Sequence, residues 1–224
     1  MGRKPHSSYR HSHWVLVGVH IIMSILLLCP THIPASEVQR VARVVDGDTL
    51  QLSGGQFVRY IGINAPEIRH GNKPGEPLGI QARLFVTKLL EGGDVILEAG
   101  AERSDRYGRR LAYVYTSQHV FVNLELLRQG LAHCLFQTPN DRYRNEFIRA
   151  QRRAMQEGRG MWRQAGLQRR AVVGNRNSLR FHRLKCPFGR NICKSNRQIF
   201  SDSWQAFFEG FAPCKKCFPD GPFQ

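Results

Sequence analysis

Acidic residues are scarce in this chain of 224 residues: 17 Asp and Glu stand against 33 Lys and Arg, a formal charge of +16. The imbalance is silent about fold, but it favours a polyanionic partner, either nucleic acid or an anionic membrane surface. The membrane reading is the weaker one, because the basic residues past residue 36 are spread along the chain instead of lining one amphipathic helix. Long apolar runs are also missing. The longest, Trp14 to Cys29, is interrupted by His20 and Ser24 and falls short of the ~20 residues that span a bilayer comfortably. That excludes a polytopic membrane protein. Proline and glycine are present only in ordinary amounts, which excludes collagen-like repeats, and 42% hydrophobic residues with 13 Phe exclude wholesale disorder. One or two compact domains fit this length.

Residues 1 to 36 form a separate object. Arg3, Lys4 and Arg10 come first with no acid among them, the apolar run follows, and Pro30, Pro34, Ala35 and Ser36 close it. This is the layout of an export signal cleaved after Ala35, with an uncleaved membrane anchor as the alternative. Either way the rest of the chain is expected to work outside the cytoplasm, periplasmic or secreted. The remainder is basic in both its parts, +7 from 37 to 174 and +6 from 175 to 224. Residues 163 to 178, rich in Arg, Gln, Gly and Asn, read as a linker.

Between them, 37 to 162 alternates like a small β-protein. Val38 to Val45 and Thr49 to Leu52 read as strands hinged on Asp46-Gly47-Asp48, and Phe57 to Ile63 as a third after Ser53-Gly54-Gly55. Gln81 to Leu90 has helical spacing and stops at Gly92-Gly93. Asp94 to Glu98 and Leu111 to Thr116 alternate around a polar turn, and Val122 to Gln129 reads as a helix ended by Gly130. Asp141 to Glu157 reads as a basic helix capped by Asn140. Five strands with a helix after the third predict an OB-fold barrel with three helices, mainly β in an α+β chain.

Four polar motifs sit on that frame: Asp46-Gly47-Asp48-Thr49, Arg59 to Glu67 (Arg-Tyr-Ile-Gly-Ile-Asn-Ala-Pro-Glu), Asp105-Arg106-Tyr107-Gly108-Arg109, and Asn123 to Gly130. In this order and spacing they resemble the staphylococcal nuclease (thermonuclease) family over residues 38 to 162. The resemblance implies a metal-dependent phosphodiesterase acting on DNA or RNA, breaking the bond on the 5'-oxygen side. Asp48, Asn64 and the backbone carbonyl of Ala65 would then hold Ca²⁺ with Asp46 behind them, an oxygen-only set that suits a hard cation. Glu67 would orient or deprotonate the attacking water, while Arg59 and Arg109 grip the phosphate through forked donors. Arg106 and Tyr107 match positions that hold a neighbouring phosphate. Phe136 falls where the family carries an aromatic stacking surface. Asn64 departs from the pattern, since the best-known members carry Asp there; it keeps one oxygen and loses a full charge. The competing reading is a non-catalytic OB-type nucleic-acid binder whose metal site has lapsed.

The last forty residues hold four of the six cysteines. His182-x3-Cys186 and Cys214-x2-Cys217 make two short chelate loops, the spacing of a tetrahedral Zn²⁺ site with one nitrogen and three sulfurs. Around them residues 179 to 219 resemble the small metal-binding domain of Ada-type DNA repair proteins. This predicts a zinc-stapled α+β domain over 179 to 220 that grips nucleic acid. His182 stands where that family carries a methyl-accepting cysteine, so methyl transfer is not expected. A Cys214 to Cys217 disulfide is the rival to zinc, Cys193 could replace His182 as a ligand, and Cys134 reads as a buried free thiol.

Overall fold

The computed structural model describes residues 1–2, 36–69, 71, 74–163 and 170–219; the export-signal reading lies outside them. Among the described residues no helix is long and apolar enough to cross a membrane.

Strands β1 (Ser36–Asp46), β2 (Thr49–Leu52), β3 (Phe57–Tyr60), β5 (Asp94–Ser104) and β6 (Arg110–Thr116) close into a barrel in the order β1-β2-β3-β6-β5. All its pairs are antiparallel except β3 with β6. The alternation that predicts the strands also fills the barrel, since Leu50, Leu52, Val58, Tyr60, Val95, Leu97, Ala112 and Val114 are all buried. Helix α1 (Gly79–Leu89) packs on β1, and α2 (Val122–Arg128) lies against α3 (Arg144–Gln156). This is the expected five-stranded barrel with three helices.

Two local expectations change. Phe57 to Ile63 is not one strand: β3 ends at Tyr60 and β4 (Gly62–Asn64) leaves the barrel to pair with β7 (His133–Leu135). Gly62 makes the break, with φ +79 and a Cβ position only 2.7 Å from the Phe147 ring. Asn140 does not cap α3, which starts at Arg144 after Tyr143 with no side-chain cap. Its amide instead clamps Glu102, accepting from the N–H and donating to the C=O, each at 2.9 Å.

The C-terminal part is a four-stranded sheet in the order β10-β8-β9-β11, with β8 (Val172–Asn175), β9 (Arg180–Arg183), β10 (Arg197–Phe200) and β11 (Ala212–Pro213), plus short helices α4 (Pro187–Arg190) and α5 (Ser203–Phe208). Strand β8 lies inside the stretch that reads as a linker. Its core joins that of the barrel. Phe207 meets His133 and Trp162 at ring-centroid distances of 5.3 and 5.2 Å. From α3, Gln151 accepts from the Cys134 N–H and donates to the Phe207 carbonyl, and Arg152 donates to the Phe208 carbonyl at 2.6 Å. Arg180 donates to the Phe136 carbonyl at 3.1 Å. From residue 36 onward the described chain is therefore one compact unit.

Candidate active site

The β1–β2 connection presents Asp46 and Asp48, and a hydrogen bond from the Asp48 N–H to Asp46 Oδ1 (2.9 Å) fixes the turn. Gly47 lets it press inward, because a Cβ there would lie 2.6 Å from that of Ala65 and 2.7 Å from that of Ala82 on α1. The close approach brings Asp48 Oδ2 to the Ala65 N–H at 2.6 Å. One carboxylate thus anchors the segment that carries Asn64, Ala65 and Glu67.

Arg59 faces Thr49 across β2 and β3. Its guanidinium ion-pairs with Asp48 in a nearly dry setting, the two side chains being 12% and 7% exposed. The Asp48 side chain also accepts from the Thr49 hydroxyl. Nη2 of Arg59 donates to Asn64 Oδ1 at 3.0 Å, and the Asn64 amide donates to the Ala65 carbonyl at 3.2 Å. Asp46, Asp48, Asn64 and the Ala65 carbonyl therefore share one small pocket of oxygens with a single guanidinium among them. Burial, and then the neighbouring Asp48 carboxylate, push the Asp46 carboxyl up to about 7. A carboxyl raised in this way is one whose charged form lacks a partner, and an oxygen-only set in that condition fits a hard cation such as Ca²⁺.

Glu67 is held by its backbone: its N–H donates to Glu76 Oε2 (3.1 Å) and its carbonyl accepts from the Glu76 N–H (2.8 Å). Its own carboxylate accepts no hydrogen bond from the described residues, and it adds to the field on Asp46. Arg109 precedes β6, whose Leu111 pairs with Arg59. It is held by Asp105, with Nε and Nη2 each 2.8 Å from Oδ2. Partial burial raises the Asp105 pKa, but the hydrogen bonds from Arg109 and Tyr107 outweigh it and hold the carboxyl below its ordinary range. Tyr107 is 69% exposed, with the Arg106 and Arg109 guanidiniums 4.8 and 5.6 Å from its ring centre.

Phe136 is not where a stacking residue must be. It is 4% exposed, with the Arg144 guanidinium 5.8 Å from its ring centre and Gly210 of the C-terminal part packed near its edge. A base has no face to reach there, whereas Tyr107, beside Arg109, stands in solvent. Sequence reasoning also missed His133. It is buried opposite Asn64 in the β4–β7 pair, and burial lowers its pKa to about 4. Nothing local signals this; only the β4–β7 pairing puts it there. Cys134 is buried and free, and burial pushes its thiol up.

In the C-terminal part the donor atoms of His182, Cys186, Cys214 and Cys217 all lie within 4.8 Å of one another. His182 Nδ1 is 3.6 Å from Cys186 Sγ and 3.9 Å from Cys217 Sγ. Donors ~2.1 and ~2.3 Å from a tetrahedral ion stand about 3.6 Å apart, so the cluster has the size of a zinc cage. Burial, and then Arg180, hold His182 below the ordinary histidine range, which keeps the ring neutral as a metal ligand must be. All four cysteines of this part are free thiols, and Cys193 is exposed and outside the cluster.

Comparison with known proteins bears on the barrel. Residues 57–164 match the family described as staphylococcal nuclease homologue. The thermonuclease of Staphylococcus intermedius is 41% identical over 125 residues, covering 54% of this chain and 74% of the relative. That of Staphylococcus hyicus is 36% identical over 129 residues, covering 56% and 76%. A prophage-derived endonuclease of Bacillus subtilis, YokF, is 34% identical over 129 residues, with 43% of its length covered. The closed barrel, the oxygen pocket on its first hairpin and these likenesses agree: the chain belongs to the staphylococcal nuclease family.

Proposed function

We propose that this chain is an exported nuclease that hydrolyses phosphodiester bonds of DNA or RNA, using Ca²⁺ in the barrel pocket and Zn²⁺ to staple the C-terminal part. The observation that carries the reading is the pocket itself: Asp46, Asp48, Asn64 and the Ala65 carbonyl gathered beside Arg59 and Glu67 in a chain of this family. A cation there supplies charge that offsets what develops on the phosphoryl oxygens. The residues do the rest. Glu67, with its carboxylate unengaged, accepts a proton from a water aimed in line at phosphorus. Arg59 and Arg109 present forked donors to the phosphate oxygens, and each is held in place by a carboxylate, Asp48 or Asp105. Tyr107 and Arg106, exposed beside Arg109, are placed to position the adjoining nucleotide. His182, Cys186, Cys214 and Cys217 would hold zinc, a structural role that fits a four-donor cage with no open position. Export rests on the composition of residues 1 to 36.

A second reading has one observation in its favour: Arg59 already neutralises Asp48, and Asn64 lacks the charge of an Asp. On that reading the barrel binds nucleic acid and cuts nothing. Incubating the zinc-loaded chain with single-stranded DNA and RNA, with calcium supplied or withheld, separates the two. Calcium-dependent cleavage leaving 3'-phosphate ends supports the nuclease. Salt-sensitive binding without cleavage supports the binder.

A further inference from the structure

Three large apolar side chains of the C-terminal part stand in solvent: Leu184 (52% exposed), Phe188 (60%) and Ile199 (59%). Leu184 and Ile199 line a groove of about 220 Å³ with Val173, Gly189, Arg190 and Arg197. Phe188 directly precedes Gly189 and Arg190 in α4, and α4 itself begins right after the cage residue Cys186. Its lining sets apolar side chains beside two arginines.

No carboxylate answers those cations. Arg190, Arg197 and the nearby Lys185 and Lys194 make no ion pair among the described residues. The described acids of this part are spent elsewhere: Asp202 caps α5 by accepting from the Gln205 N–H, and Glu209 pairs with Arg152 of α3. Arg197 donates to the carbonyls of Arg190 and Ile192, which holds its side chain against the end of α4. A partner must therefore bring negative charge together with flat apolar surface. A single nucleic-acid strand has both, with phosphates for the arginines and an open π-face on every base for Phe188, whereas a duplex hides its bases.

We propose that this groove, together with the exposed Phe188 of the helix that supplies its Gly189 and Arg190, holds single-stranded nucleic acid as a site separate from the barrel pocket. The inference rests on the nuclease reading only for its purpose, which is to keep a long strand attached while the barrel works on it. The cage sets its geometry, because zinc at Cys186 would fix the start of the helix that carries Phe188 and Arg190.

The test uses the full zinc-loaded chain in calcium-free buffer and a single strand of roughly 20 nucleotides, longer than the ~4–16 that one such surface covers. Phe188→Ala should weaken binding by roughly tenfold, the loss expected of one base-stacking ring. Arg190→Ala should weaken it and flatten the dependence on salt by about one phosphate contact. Both side chains are exposed, and an unchanged zinc content verifies that the variants fold. Wild-type affinity in both variants would overturn the proposal. So would loss of binding to anionic phosphatidylserine vesicles, or loss of self-association, with strand binding intact, since the groove would then serve a membrane or a second copy. Calcium-dependent cleavage of a trinucleotide, too short to span both sites, reports on the barrel alone. Its absence in the wild type would sink the nuclease reading and leave the groove to be judged by binding.

Discussion

The barrel pocket and the C-terminal cage are both candidate metal sites, and they are built in opposite ways. Asp48 already has Arg59, Thr49 and the Ala65 N–H as partners, so the protein holds the oxygen pocket together by itself. The cage donors face one another, His182 Nδ1 lying against Cys186 and Cys217 at 3.6 and 3.9 Å. The first is a site that chemistry borrows from a finished fold. The second, filled by zinc as proposed, would be a site that the local fold leans on. The difference teaches that removing a metal should stop turnover in one place and undo structure in the other.

Removing zinc should give the largest effect. Structural zinc contributes ~10–16 kcal/mol of apparent binding free energy in small finger peptides, and this cage would tie β9 and the start of α4 to Cys214 and Cys217 near the end of the described chain. Cys214→Ser or Cys217→Ser should abolish zinc retention and hydrogen-exchange protection across β8 to β11. The shared core extends the damage: Phe207 leaves His133 and Trp162, so the barrel should also melt earlier. A barrel that melts as before would show the two parts to be independent and break the comparison.

The arginines sharpen it. Arg59→Ala and Arg109→Ala should each cut turnover by at least ~10²-fold if both stabilise the phosphoryl transition state. Only Arg59→Ala should also destabilise the barrel, by about 3–5 kcal/mol, because it strands a buried carboxylate, whereas the Arg109 pair is partly solvated. Unchanged turnover with weaker affinity would make them ordinary phosphate contacts. Glu67→Gln should lower the rate and spare calcium binding.

His133 offers a pH test of the junction between the two regions. Its folded pKa of about 4 lies below the ordinary value of 6.5, so the unfolded chain takes up a proton that the folded one refuses. The stability this residue contributes is complete above pH 6.5 and is lost as pH falls toward 4, by about 3 kcal/mol at most. Urea unfolding should show that loss in the wild type and a flatter acid limb in His133→Gln. Identical limbs would mean that the ring is not buried as described.

The smallest effect is expected at Asn64. Its Asp variant adds a charge to the oxygen set, so half-maximal activity should need a few-fold less calcium, while Asn64→Ala should need more than either. One shared midpoint for all three would remove Asn64 from the ligand set and leave Asp48 to carry the ion.

How much of this was legible follows from where the information sits. Period-two alternation marks the barrel strands, and the short polar motifs at 46–49 and 59–67 carry their neighbours with them, so the grouping of these residues could be anticipated. The β4–β7 pair could not, because it joins Asn64 to His133 across most of the domain. Asn140 reads as a cap from its place before a helix, yet Glu102 supplies a better two-point partner. Gln151 and Arg152 lie in a stretch that the sequence marks only as a basic helix, and only the fold reveals the carbonyls of Phe207 and Phe208 that they meet. Phe136 was lost to the same interface. What sequence hides here is contact between distant segments through polar side chains.

The most direct measurement is a calcium titration of the zinc-loaded wild type with two readouts, the rate of single-strand cleavage and the urea unfolding midpoint. A folded barrel without calcium, no cleavage, and then a saturable rise in rate with only the modest stabilisation that ligand binding brings is the result predicted. Cleavage indifferent to calcium, or a barrel that folds only when calcium is added, would contradict it.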